Sequence, residues 1–535
     1  MFAALLGLLL SGLALVEAAT LSTASVTLDY GTFTGVTNTT NGIISFLGIR
    51  YADAPVGALR WRAPVSPPST HLGTVKATAL GFACIGTTQV NSGSTTDEDC
   101  LFGNVYMPIN TTTTSNLPVL VFFHGGGFET GRTRDAPAEN ILGGSQEPLI
   151  FVTFEYRLGQ FGFLAGTPVN QSGQLNVGLL DQRAALEWVQ TYISKFGGDP
   201  TRVTIWGQSA GAASVMYHLI AEGGEDKNLF HQAMGDSPPM LYLPQYTDAY
   251  IEDLFMQFAG LAKCASSGNG PAIMACLRAA STKTIATAGS STLANRTSSL
   301  YPFGPMADGS FIRERPIEAF QNGHFVRVPV LFGSNSDEGA NWSASLDNRA
   351  ANTSTPDATE TTVYNFLAGQ YATLTEQSFM TAITQFYPLS DFGGSFSLQG
   401  QQMYGEMRYI CSALMISGTM QDASPDLPAY QYHWDNPTLG STHGDELDAF
   451  FDITEVFDKD NTALATAMRQ YWTSFATSGM PSSNVNGSIE WVQTNGADGG
   501  PRIFLHPGQI KMEAVDGALT QRCEFWRTLA SELAT

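Results

Sequence analysis

The sequence is poor in charge, and the charge it has is mostly of one sign. Charged residues make up 14% of the 535, with 26 basic against 48 acidic, for a formal net charge of −22. Nucleic acid and anionic membrane surfaces bind through Lys and Arg, so both are poor partners for this chain. The acidic excess is spread along the sequence, as on a solvated surface. Metal and cofactor signatures are also missing: there is no H-E-x-x-H, no paired C-x-x-C and no G-x-G-x-x-G between strand and helix. Neither a metal nor a cofactor is therefore expected. The chain has no repeat of fixed period, no long linker and, after its first residues, no apolar run long enough to span a membrane. Nothing in it specifies an oligomeric state.

What is present begins with a nearly unbroken apolar stretch, residues 2–16, which leads into Val16-Glu17-Ala18-Ala19 and then polar residues. This reads as a secretory signal over residues 1–19, cleaved after Ala18 or Ala19, with no stable membrane anchor and one domain over 20–535. In a secreted chain the six cysteines should be paired. Spacing favours Cys84 with Cys100 and Cys264 with Cys276, leaving Cys411 with Cys523. Asn-x-Ser/Thr acceptors occur at Asn38, Asn110, Asn170, Asn295, Asn341, Asn352 and Asn486, so an extracellular glycoprotein is expected.

Strand-like runs over 118–123, 149–156, 203–206, 328–332, 429–434 and 502–506 each end in a polar or Gly-rich loop, and helical patterns such as 180–196 separate them. Strands alternating with helices imply an α/β fold with a mostly parallel sheet covered on both faces. Segments 241–294 and 348–420 carry helical pattern without strands and read as insertions over that sheet. Ser/Thr/Gly-rich patches at 87–96, 288–299 and 343–362 read as surface loops. Chemistry in such folds collects at the carboxyl ends of the strands.

There the sequence places Gly207-Gln208-Ser209-Ala210-Gly211, after the apolar run 203–206 and before the helix-forming 212–216. Ser209 is a candidate nucleophile on a strand-to-helix elbow, where small residues two before and two after let the hydroxyl stand clear of its own backbone. The run 118–123 leads into His124-Gly125-Gly126-Gly127-Phe128, and the amides of Gly126, Gly127 and Ala210 could share one oxyanion. A base is needed. Of eight histidines, His443 and His506 follow late strands, and position favours His443. An orienting acid falls to Asp337 or Glu338 in the loop after 328–332, which keeps the order serine, acid, histidine. Phe128, Met240, Tyr242, Tyr301 and Phe303 are candidate pocket residues.

These features, together with Gly48-Ile49-Arg50-Tyr51-Ala52, Glu98-Asp99-Cys100-Leu101, Glu155-Tyr156-Arg157-Leu158-Gly159, Asn176-Val177-Gly178-Leu179-Leu180-Asp181-Gln182-Arg183 and Phe196-Gly197-Gly198-Asp199-Pro200, resemble the type-B carboxylesterase/lipase family over residues 25–530. The resemblance implies an α/β-hydrolase fold, Ser209, Glu338 and His443 as catalytic residues, and ion pairs Arg60 with Glu98 and Arg157 with Asp181. It also implies the three disulfides suggested by spacing, and a small-molecule ester as substrate. A secreted serine carboxylesterase is the expected function. A lipase or sterol esterase, an aryl or feruloyl esterase, and a non-catalytic binding protein on the same fold are the alternatives. Three positions depart from the family pattern. Gln208 replaces a frequent glutamate, which disfavours a cationic substrate. The segment 84–100 is short and lacks tryptophan, which argues against a lipase lid. Gly235-Asp236-Ser237-Pro238 replaces the usual Ser-Gly-Ser-Pro, which alters the support behind Glu338.

Overall fold

The computed structural model describes residues 24–296, 301–452, 457–496 and 500–535. The expected signal segment lies outside them. An 11-stranded sheet organises the chain. In chain order its strands are Val36–Asn38 (β1), Ile43–Arg50 (β2), Phe102–Pro108 (β3), Leu117–Phe123 (β4), Ile150–Phe154 (β5), Gly198–Gln208 (β6), Gln232–Asp236 (β7), Val330–Asn335 (β8), Ala429–Trp434 (β9), Arg502–His506 (β10) and Gln509–Glu513 (β11). They lie side by side as β11-β10-β9-β8-β7-β6-β4-β5-β3-β2-β1. The pairings from β10 to β5 are parallel, and the outer ones are antiparallel.

β4 shows why the centre is parallel. Val119, Val121 and Phe123 enter one core, while Leu120 and Phe122 enter the core on the opposite face. A strand buried on both sides must be apolar at every position, and only helices on both faces can supply that cover. The helices Val177–Tyr192 (α1) and Ala210–Gly224 (α2) cover one face, and Lys459–Ser478 (α3) covers the other.

The expected insertions are helical. The first holds helices Ala249–Leu261, Gly270–Ala279 and Thr282–Ala294; the second holds Glu360–Gln370, Glu376–Gln385 and Phe396–Gly405, the π-helical turn Glu406–Ile410, and Cys411–Ala423. The second insertion has its own core around Phe366, Tyr371, Phe379 and Tyr404. Two expected loops differ from the sequence reading. Part of 288–299 belongs to helix Thr282–Ala294, because Ser281 caps its start by accepting from the Thr284 amide and Ile285, Ala286, Ala288, Gly289 and Thr292 form a buried face. The stretch 343–362 contains two 3₁₀ turns and the start of helix Glu360–Gln370, closed by a Thr359/Thr362 capping box.

The three disulfides join Cys84 to Cys100, Cys264 to Cys276 and Cys411 to Cys523. Both expected ion pairs form in the interior. Arg60 grips Glu98 at 2.5 and 2.7 Å and also donates to the carbonyls of Leu277 and Ala280, which fastens the first insertion to the body. Arg157 grips Asp181 at 2.7 and 2.6 Å, linking the segment after β5 to α1, with 2% and 0% of the two side chains exposed. Removing one member of such a pair strands the other charge out of water. Arg157→Leu is expected to cost about 3 to 5 kcal/mol of stability, read as a lower urea midpoint, whereas adding Asp181→Leu should recover most of the loss.

Candidate active site

The sheet register brings the site together. Phe123 lies level with Gly207, Gln208 with Asp236, Asp236 with Gly333, and Asn335 with Trp434. The loops that leave β4, β6, β7, β8 and β9 therefore emerge on one edge.

At the end of β6 the chain reverses into α2 at Ser209, whose φ of 56° and ψ of −123° are unfavourable for any residue with a Cβ. The turn closes only because its flanks are glycine. A Cβ on Gly211 would come within 1.9 Å of the Phe123 carbonyl oxygen, and one on Gly207 within 2.3 Å of Gly211. Ser209 Oγ donates to His443 Nε2 at 2.8 Å, and His443 Nδ1 donates to Glu338 Oε2 at 2.6 Å. The carboxylate fixes the imidazole tautomer with its proton on Nδ1 and leaves Nε2 free to accept. The structure thus selects between the pairs left open by the residues. Asp337 does not reach the imidazole, and its amide instead donates to the Ser441 carbonyl. His506 turns to Asp435.

Support behind Glu338 comes through the altered motif. Ser237 Oγ and the Asn335 amide both donate to Glu338 Oε1. Asp236, the other departure, is wholly buried beneath the site and accepts from the indole nitrogens of Trp206 and Trp472 at 2.6 and 3.2 Å. The Asn335 side chain donates to the Thr442 carbonyl and to Glu446, which ties the acid strand to the histidine loop.

A cleft of about 320 Å³ opens over Ser209, and Gly126, Gly127 and Ala210 all line it. Among the described residues their three amides donate to no other part of the chain, and Gly126 and Gly127 hold positive φ of 110° and 65°. Phe128 and Tyr301 line the same cleft. Tyr242 and Phe303 line a smaller pocket of about 40 Å³ that shares Gly127, Phe128 and Tyr301 with it. Met240 lies elsewhere. Its amide donates to the Arg408 carbonyl, and its side chain lines a separate small cavity beside the Cys411–Cys523 bridge, while its neighbours Pro239 and Leu241 face the cleft.

Sequence reasoning missed much of the cleft wall, including Trp342, Arg408 and Tyr409. The Tyr409 ring lies 4.2 Å from that of His443, the Trp342 ring 5.5 Å, and Trp342 Nε1 donates to the Glu338 carbonyl at 2.9 Å. Arg408 completes that wall. Arg408 and Tyr409 sit in the second insertion and Trp342 in the segment after β8, and local pattern does not tell which side of such a turn faces a cleft. Of the remaining histidines, His124 and His218 are buried and stacked on Tyr156 and Phe123, and burial lowers their pKa values to about 4 and about 3.

Buried carboxyl groups give the molecule a pH signature. Burial raises Glu129, in the cleft wall, to about 8, and Asp236 and Glu155 to about 7. Each binds its proton more tightly folded than unfolded, so the stability it contributes is complete below its ordinary value near 4 and is lost as pH rises through the folded one. His124 and His218 act in the opposite sense, and their effect is complete above about 6.5. Between pH 6.5 and 8 the carboxyl groups therefore set the slope, and stability should fall. Melting temperatures across that window are expected to fall less steeply for Glu129→Gln than for the wild type; parallel slopes would show that Glu129 is already ionised in the folded protein.

Comparison with known proteins follows the same lines. The profile of the family described as "Carboxylesterase family" matches residues 22–526. The chain is 31% identical to "Secreted lipase 1" of Botryotinia fuckeliana over 85% of its own length and 84% of that protein's. It is also 31% identical to "Pyrethroid hydrolase Ces2e" of Rattus norvegicus, over 85% of this chain and 81% of that one. The crystal structure of Aspergillus niger EstA superposes with a TM-score of 0.84 at 31% identity, covering 97% of this chain and 100% of that one. With an α/β-hydrolase sheet, a serine elbow at the end of β6 and a family match over nearly its whole length, the chain belongs to the carboxylesterase family.

Proposed function

We propose that the protein is a secreted serine carboxylesterase working through an acyl-enzyme. The observation that carries this reading is the unbroken hydrogen-bonded line from Ser209 Oγ through His443 to Glu338 beside three unengaged amides. Ser209 attacks the ester carbonyl while His443 takes its proton at Nε2, and Glu338 stabilises the imidazolium that results. The carbonyl oxygen, now negative, is received by the amides of Gly126, Gly127 and Ala210. Each such donor contributes roughly 3 to 4 kcal/mol to the transition state. His443 then returns the proton to the leaving alcohol, and water, deprotonated by the same imidazole, releases the acid and restores the serine.

Secretion is supported by the three disulfides and by the exposure of every Asn-x-Ser/Thr acceptor except Asn352. Among the described residues no helix is long and apolar enough to cross a membrane. The substrate is inferred to be a short ester in solution. The 84–100 segment, stapled at its ends, lies against helix Thr282–Ala294 through Val90 and Thr88 and lines the cleft through Thr88 alone. The names of several relatives keep a lipase in view as a second reading.

Hydrolysis of p-nitrophenyl esters from acetyl to palmitoyl, each followed across its solubility limit, separates the two readings. Short dissolved esters should turn over fastest. A jump in rate only above the solubility limit, with long chains preferred, would establish the lipase instead. Ser209→Ala should lower kcat by about 10⁴-fold or more with an unchanged circular-dichroism spectrum, and His443→Ala, but not His506→Ala, should do the same.

A further inference from the structure

Arg408 is a buried cation without a counter-ion. It is 4% exposed, and among the described residues no carboxylate lies within ion-pairing distance. Its Nε has no hydrogen-bond partner, its Nη1 reaches the Gln370 side-chain oxygen at a long 3.4 Å, and its other near polar neighbours are the neutral hydroxyls of Tyr371 and Tyr409. Around it stand aromatic rings. The guanidinium carbon lies 5.6 Å from the Tyr404 ring centre and 5.8 Å from that of Tyr409. Burial raises the pKa of Tyr371 to about 12 and pushes Tyr404 and Tyr409 well above their ordinary value, so no phenolate supplies the missing charge.

The other buried arginines of this molecule are treated differently. Arg60 and Arg157 each close a two-pronged pair with a carboxylate, and Arg502 donates to Glu513. Taking a guanidinium out of water without such a partner is costly, and cation–π contacts offset only about 2 kcal/mol of it. A buried charge left unpaired in a cleft marks a functional position.

Its place decides what that position does. Arg408 lines both the cleft over Ser209 and the adjoining small pocket. It is carried on the π-helical turn Glu406–Ile410, whose next residue, Tyr409, packs on the imidazole of His443. Turns of this kind recur at functional sites because the extra residue re-aims side chains. Burial raises the pKa of Glu129, which lines the same cleft, and so opposes the charge that could neutralise Arg408.

We propose that Arg408 is a carboxylate-binding site within the substrate cleft, and that the preferred substrates are esters bearing a free carboxylate on the acyl or the alcohol side. The planar guanidinium, which has no carboxylate of its own, suits a carboxylate held in a dry site. The inference deepens the esterase reading and rests on it for the catalytic step.

Two anionic esters test it. These are p-nitrophenyl hydrogen glutarate, with the charge on the acyl side, and para-carboxyphenyl butyrate, with the charge on the alcohol side. Each is compared with its methyl-capped neutral counterpart. In the wild type at least one anionic ester should be favoured in kcat/KM by roughly 10- to 100-fold, the range of a charged hydrogen bond. Arg408→Gln should bring that ratio near unity, and Arg408→Lys should restore part of it. A ratio of one or less for both wild-type pairs, or an equal loss on both members of a pair in Arg408→Gln, would overturn the proposal. Calorimetric binding of monomethyl glutarate to Ser209→Ala needs no turnover and separates this inference from the esterase reading. Binding that disappears in the Ser209→Ala/Arg408→Gln double variant supports the carboxylate site even if no ester is cleaved. Absence of binding overturns the site while activity on neutral esters still stands for the reaction.

Discussion

The reversal of a fully buried parallel strand at Ser209 is the constraint on which the rest of the structure depends. A strand inside a sheet has no free edge, so a side chain becomes accessible only where the strand ends, and here it ends by folding back on itself in a disfavoured backbone conformation. The strain persists because the surroundings over-determine it. Gly211 sits against the Phe123 carbonyl, Gly207 against Gly211, and the Ser209 amide is held by the Asp236 carbonyl of the adjacent strand at 2.9 Å. The same contact that makes the serine prominent brings the end of β4 beside it, so the glycine loop after Phe123 has little choice of position. The positions of the candidate nucleophile and of the candidate oxyanion donors are consequences of one close approach of two strands.

Behind the serine, the site is built from acid groups placed where water is absent. Glu338, Asp236 and Glu446 are all completely buried. Burial pushes Asp236 to about 7 and holds Glu446 well above its ordinary value, with Glu338 adding to the rise in both, while hydrogen bonds from Ser237, Asn335 and His443 converge on Glu338 itself. Asn335 has a special part in this arrangement because it touches the acid through its amide and the histidine loop through its side chain. Position of the base relative to the acid is thereby set by β8 rather than left to the long loop after β9.

The insertions contribute the other half of the site. They add little to the sheet, yet Leu241 and Leu293 of the first and Arg408 and Tyr409 of the second line the cleft, and Tyr242 of the first lines the adjoining pocket. Their attachment is correspondingly firm: Arg60 binds carbonyls of the first insertion, and Cys411–Cys523 joins the second to the C-terminal helix Gly517–Thr528. A reaction common to a fold can in this way be given its own substrate by loops that leave the sheet untouched.

The elbow, the triple glycine and the parallel sheet were legible in the sequence because each is a local signal: a glycine where no Cβ fits, or an apolar run where both faces are covered. Met240 was assigned to the cleft and faces away from it, since an aromatic or apolar residue near a site reads the same whichever side it turns. Helix Thr282–Ala294 was partly taken for a loop because small polar residues disguise a buried face whose evidence is packing. The sequence by itself determined a strand-to-helix elbow with a candidate nucleophile, a glycine loop before it, and the kind of acid and base to look for. Only the tertiary structure brings Glu338 and His443, which position and family resemblance favoured over Asp337 and His506, into one hydrogen-bonded line with Ser209, and stands Arg408 in the cleft without a carboxylate partner. The physical reason is separation along the chain: these residues meet through sheet register and the packing of insertions, and neither leaves a mark on the residues beside them.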